Sequence, residues 1–149
     1  MKRILISLAL IAATCSAGAQ EAMKVIKADE LVWKDHPFFK GVKTAVLLGD
    51  PAKAETIIIR NKFPPNYRVA PHTHPYTEII TVISGMVGHG TGGKFDAQGE
   101  MFQPGTVFVL PPNHAHYVWT GNEPAIIQVQ YMGPSGIDFI NPADDPRNK

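Results

Sequence analysis

The chain has a single cysteine in 149 residues, Cys15, which excludes a disulfide within the chain, and because Cys15 stands in a segment with the form of a cleavable leader, the mature protein is expected to lack thiolate chemistry as well. Metal ligands, if any, must then be His, Asp or Glu. An apolar run of membrane-spanning length is also lacking. The stretch I-L-I-S-L-A-L-I-A-A that follows Met1-Lys2-Arg3 stops at Thr14 and Cys15, well short of the ~20 residues a transmembrane helix needs. No basic amphipathic helix is present to hold the chain on a bilayer surface. Charge of one sign is equally scarce, with 14 Lys and Arg against 13 Asp and Glu, a balance that argues against a nucleic-acid partner.

A charged start, a short apolar segment and the small-residue site Ala17-Gly18-Ala19 have the form of a secretory signal peptide. Residues 1–19 are therefore expected to be a leader cut after Ala19, which makes the mature protein secreted or periplasmic. The alternative is lipoprotein processing before Cys15, disfavoured by Thr14 immediately ahead of the cysteine and by Ala12 upstream. Removing 19 of 149 residues leaves 130 and takes away Cys15, Lys2 and Arg3, so the charge balance becomes 12 basic against 13 acidic. A chain of that length can bury the core of one domain without covalent staples.

Turn residues fall at short, regular intervals between runs rich in Val, Ile, Thr and aromatics, and helical periodicity is missing. That pattern predicts an all-β domain. Strands are expected at 44–48, 55–62, 77–84, 86–91, 106–110, 115–120 and 125–131, with one more carrying His72 and His74. Eight short strands suit an antiparallel jelly roll or small barrel. Residues 20–43 form an N-terminal extension in which A-D-E-L-V-W-K fits either a short strand or a helical turn. The tail, 133–149, ends in the polar, proline-punctuated N-P-A-D-D-P-R-N-K and is expected to wrap the surface or fray.

Within this frame His72-Thr73-His74 is followed by Glu78, and His116 lies beyond a later turn. Strand residues two apart share a face, so His72 and His74 can aim both imidazoles at one point. Pro75 and Tyr76 then bend the chain and allow Glu78 to return its carboxylate to the same place. Burying three imidazoles and a carboxylate without an ion would leave unpaired polar groups, which is costly. An isolated H-x-H is more often structural, but the company of Glu78 and His116 reverses that expectation.

These residues carry a resemblance to the cupins. The family's first motif is glycine, five residues, H-x-H, three or four residues, glutamate, six residues, glycine; His72, His74, Glu78 and Gly85 fit it, with Asn66 at the opening glycine. The second is glycine, five residues, P-x-G, two residues, histidine, three residues, asparagine; Gly105, Pro111 and His116 fit it, with Asn113 and Thr120 at the two departures. Asn tolerates left-handed backbone angles, so both Gly-to-Asn departures are mild. The resemblance covers residues 44–132 and implies a double-stranded antiparallel jelly-roll β-barrel with a metal in one mouth, held by His72, His74, Glu78 and His116. It further implies that Glu78 can double as a proton acceptor, and that a homodimer formed through sheet edges is an expected assembly.

Three imidazoles and one carboxylate leave coordination positions open for a substrate or dioxygen. One divalent transition metal ion is expected, with Fe, Mn or Ni favoured and Zn or Cu also accepted by the ligand types. The leading expectation is a metal-dependent enzyme of dioxygenase type acting on a small organic molecule. A non-catalytic binding or sensing module, and an Mn-dependent decarboxylase, isomerase or superoxide-handling protein, are the alternatives. His114 is expected at the rim or behind the ligands, and His36 and His89 at solvated positions. Trp33, Phe38 and Phe39 are expected to pack, while Tyr76, Tyr117 and Trp119 either line the mouth or, as strand aromatics usually do, pack. Gln128 and Gln130 alternate with Ile127, Val129 and Tyr131, and the glutamines are expected on the solvent face.

Overall fold

The computed structural model describes residues 22–148; the leader and its cleavage site lie outside them. Eleven strands follow in chain order: β1 Lys34–Asp35, β2 Lys43–Leu48, β3 Thr56–Phe63, β4 Arg68–Thr73, β5 Glu78–Ser84, β6 Val87–Thr91, β7 Met101–Phe102, β8 Val107–Leu110, β9 His116–Thr120, β10 Ala125–Met132 and β11 Asp138–Phe139. They form two antiparallel sheets, one ordered β1-β2-β3-β10-β5-β8 and the other β11-β4-β9-β6-β7. The fold is the expected all-β jelly roll.

Alternation of side chains decides what lies between the sheets. In β10 the buried residues are Ala125, Ile127, Val129 and Tyr131, while Gln128 and Gln130 turn outward. Gln128 accepts a hydrogen bond from Arg60 Nε on the outer face at 3.1 Å, so the glutamines face away from the interior. In β9 both faces are covered. His116 and Val118 point inward, and Tyr117 and Trp119 lie over Gly90 and Gly88 of β6, their register partners. A Cβ on Gly88 would sit 1.9 Å from Trp119, and one on Gly90 2.2 Å from Tyr117. These two aromatics therefore pack, as expected from their place in a strand.

Seven of the expected strands are found with each end within one residue. The eighth differs: β4 ends at Thr73, so His74 sits just past the strand rather than on it. β7 and β11, at two residues each, were not anticipated. The segment A-D-E-L-V-W-K resolves into both of its readings, a 3-10 turn at Ala28–Glu30 and then Lys34 as the first residue of β1. The two motif asparagines adopt the left-handed angles their positions require, Asn66 with φ 55° and Asn113 with φ 62°. Thr120 does local work in place of an asparagine: its hydroxyl donates to Pro64 O at 2.7 Å and accepts from Tyr67 N at 2.9 Å.

Ahead of Asn141 the tail pairs as a strand. β11 pairs with β4, setting Asp138 beside Thr73 and Phe139 beside His72. At the other end, the turn from His36 to Val42 closes on itself through His36 N to Val42 O and Val42 N to Phe39 O. Both terminal segments thus lie against the same mouth of the jelly roll.

Candidate metal centre

His72 and His116 are brought together by strand pairing, since they are register partners across β4 and β9. Their ring centroids are 4.2 Å apart. His74 follows β4 and turns back, its ring 4.9 Å from that of His72 and 5.5 Å from that of His116. Glu78 arrives from the opposite sheet as the first residue of β5. One nitrogen from each imidazole lies within 4.8 Å of the others. His72, Glu78 and His116 are buried, and His74 is half-buried.

The outer nitrogens decide what the inner ones can do. His72 Nδ1 is 2.7 Å from Ala70 O, His74 Nδ1 is 2.5 Å from Gly136 O, and His116 Nδ1 is 3.0 Å from His114 O. A carbonyl only accepts, so each Nδ1 carries the proton and donates it. In a neutral ring each Nε2 then presents a lone pair. Burial, and after it the neighbouring His116 and His74, hold His72 well below the usual imidazole range, which keeps that ring in its ligating form.

Those lone pairs face a second acceptor. Glu78 Oε1 is 3.5 Å from His74 Nε2, and Oε2 is 3.3 Å from His116 Nε2. Buried Oε2 has no hydrogen-bond partner among the described residues. Acceptors aimed at one another in a buried site need a proton or a metal cation between them. Two ligand atoms each about 2.1 Å from an ion and at right angles lie about 3.0 Å apart, close to these separations. The three imidazoles named from the sequence are therefore gathered at one point, with Glu78 against two of them, and these donor types fit a divalent transition metal.

The remaining histidines hold different places from those expected. His89, on β6, is not solvated: its ring stacks on Phe108 at 4.4 Å and behind that of His116 at 5.4 Å. Burial lowers its pKa to about 4. His36 is also withdrawn from water, because Nδ1 accepts hydrogen bonds from Phe38 N and Phe39 N at 3.4 and 3.2 Å. Burial pushes it down to about 4 as well. His114 contributes its carbonyl behind His116 and is not among the clustered rings.

Two groups beside the ligands went unrecognised in the sequence. Gly136 in the tail holds His74 through its carbonyl, and a backbone oxygen has no signature in a string of residue names. Tyr76, read from the sequence as lining the mouth or packing but not as a brace for a ligand, stacks on His74 at 5.3 Å and on Tyr131 at 4.4 Å. Its hydroxyl donates to Gly136 O at 3.1 Å, and burial raises its pKa so that the proton stays on.

The centre opens on a cavity of about 430 Å³ between the sheets, walled by Ile59, Val69, Ile80, Val118, Ile127 and Val129. Phe38 and Phe39 border it on one side and Ser135, Ile137 and Arg147 on another. The two phenylalanines thus line the chamber as well as pack. Arg147 is held to Asp145 by paired contacts of 2.6 and 2.8 Å.

Comparison with known proteins agrees with this architecture. Residues 54–132, more than half of the chain, match the family model described as Cupin. No curated protein matches the sequence. Among solved structures, the polyketide cyclase RemF from Streptomyces resistomycificus is similar at 20% identity, with a TM-score of 0.68 over 84% of this chain and 90% of that one. The DMSP lyase DddQ from Ruegeria pomeroyi DSS-3 is 18% identical, with a TM-score of 0.58 over 73% of this chain and 60% of the lyase. A structure concerned with the mechanism of oxalate oxidase is 24% identical, with a TM-score of 0.56 over 83% of this chain and 66% of that one. At such identities the likeness shows the fold alone.

Proposed function

Since the chain belongs to the cupin family, we propose that it is a secreted or periplasmic metal-dependent enzyme of dioxygenase type, acting on a small organic molecule in the chamber. One observation carries the metal reading: three imidazoles tied by Nδ1 to carbonyls, with their Nε2 atoms turned toward a buried carboxylate. A bound ion with open positions would supply Lewis acidity and, for Fe, Mn or Ni, contact between an oxygenated substrate and dioxygen. His72, His74 and His116 would hold it, with Glu78 as the fourth ligand.

The protein's own residues set the rest of the chemistry. Glu78 Oε2 is buried and without a hydrogen-bond partner among the described residues, which supports a role for it in taking up a substrate proton. The aliphatic walls exclude water and favour a substrate with an apolar body. Tyr76, kept protonated by burial, braces His74 and Gly136 rather than titrating. That the similar structures include a cyclase, a lyase and an oxalate oxidase study supports an enzyme over a passive binder.

Elemental analysis of protein purified from its native compartment tests the metal, with about one ion per chain expected. Oxygen consumption with candidate substrates tests turnover. His116→Ala is expected to lose both while the far-UV spectrum of the jelly roll persists. Normal turnover by that variant would defeat the catalytic assignment. A ligand that shifts the melting temperature but yields no product would favour a binding module.

A further inference from the structure

Asn61 occupies a position where the pattern of β3 calls for an apolar side chain. Alternate residues Ile57, Asn61 and Phe63 are buried, and Lys62 between the last two is exposed. Asn61 is 8% exposed, lines the chamber, and its buried Oδ1 has no hydrogen-bond partner among the described residues. Leaving a buried amide oxygen unsatisfied opposes folding, so a polar group here needs a reason outside the fold. Thr44, its register partner on β2, also lines the chamber and brings a hydroxyl to the same patch.

The sheet places this patch far from the ligands. Asn61 pairs with Ile127, which pairs with Val82, and Val82 lies on β5 well along from Glu78. Four residues of strand and two interstrand steps put Asn61 on the order of 16 Å from Glu78, backbone to backbone. Between the two ends the wall is aliphatic, with Ile59, Ile80 and Val129. The chamber therefore has two polar poles joined by an apolar span.

Building on the metal reading above, we infer that Asn61 and Thr44 form a second recognition pole, which selects an elongated ligand bearing an oxygenated head for the metal and a hydroxyl or similar donor at its far end. A hydroxyl donates to Asn61 Oδ1 and accepts from Thr44, so it satisfies both groups at once. A purely aliphatic ligand would leave Oδ1 buried and unpaired, and the site discriminates against it.

The test uses the metal-loaded, full-length mature protein and two matched series, the straight-chain carboxylates from butanoate to decanoate and their ω-hydroxy counterparts. Affinity is read by calorimetry or by melting-temperature shift. At the chain length that spans the chamber, the hydroxy compound is expected to bind about tenfold more tightly than its parent. Asn61→Leu is expected to abolish that preference while retaining the metal and matching or exceeding wild-type thermal stability, as befits loss of an unsatisfied group. A preference missing at every length in the wild type, or one that survives Asn61→Leu, overturns the assignment. If Asn61→Leu does not fold, Thr44→Val reads the same pole, and an unchanged preference there has the same force. Metal content measured on each sample keeps the two readings apart. Loaded protein without preference overturns the Asn61 pole alone, whereas unloaded protein that still prefers the hydroxy series supports the pole and overturns the metal.

Discussion

The three imidazoles are anchored in two different ways. His72 and His116 each donate to a carbonyl two residues back on their own chain, Ala70 and His114, and they sit on paired strands in the middle of the second sheet. His74 lies past the end of its strand and donates to Gly136, 62 residues away in the tail. The first two ligands are placed by whatever folds β4 and β9. The third is placed by the docking of a terminal segment, through Gly136 and the short β11. Orienting a ligand through its outer nitrogen governs affinity as well as geometry, so the tail belongs to the metal site although it supplies no ligand atom.

That contrast can be tested from its strongest consequence downward. Replacing a locally anchored ligand, as in His72→Ala, removes a buried donor and leaves Glu78 facing fewer partners; metal retention is expected to fall to background by elemental analysis. Ending the chain after Met132 should act more mildly. It removes the Gly136 carbonyl and β11 but leaves β4, β9 and their histidines in place, so metal affinity is expected to drop about 10- to 100-fold, with the β-sheet spectrum retained. Equal loss in the two proteins would show that the distinction between local and remote anchoring has no energetic content. Gly136→Val makes the subtler version of this cut. A Cβ there would already meet Pro75 Cγ at 3.0 Å, and the larger side chain must displace the carbonyl from His74. Weakening of metal binding by about tenfold, measured by competition with a chelator, is expected, and unchanged affinity would free His74 from the tail.

The same division explains what could be read from the chain before its structure. Strands β2, β3, β5 and β10 were legible because runs rich in Val, Ile and Thr lie between turn residues, and in β10 the burial of Ile127, Val129 and Tyr131 against outward Gln128 and Gln130 follows the alternation of the sequence. The ligands were legible because motif spacing preserves them even where Asn66, Asn113 and Thr120 depart from the family pattern. Contacts made by backbone atoms were not. Gly136 acts through its carbonyl, β11 is two residues long, and the tail's polar composition is that of a solvated segment. His36 and His89 were misplaced for a related reason, since neighbouring prolines and glycines describe the local chain and not the rings that fold over it. Asn61 escaped notice because it stands between Arg60 and Lys62, in a polar stretch that has the composition of a solvated strand end.

The N-terminal cover offers the finest version of the comparison, because it is fastened by a titrating group. His36 Nδ1 accepts from two backbone amides of its own turn, which requires the neutral ring, and burial lowers its pKa from 6.5 to about 4. His89, buried behind His116, is lowered likewise. An unfolded chain regains the ordinary histidine pKa, so between pH 6.5 and about 4 it binds more protons than the folded one at both positions. Stability of the metal-free protein should consequently be full above pH 6.5, decline as pH falls through that window, and level off with respect to these two groups below about 4. His36→Gln should flatten part of the decline, and His89→Gln another part, without either change altering the order of effects at Gly136. Denaturant midpoints taken across the window would check this. A slope unchanged by His36→Gln would mean that the turn keeps its place over the chamber without help from the ring, and that the two ends of the chain are fastened by backbone pairing alone.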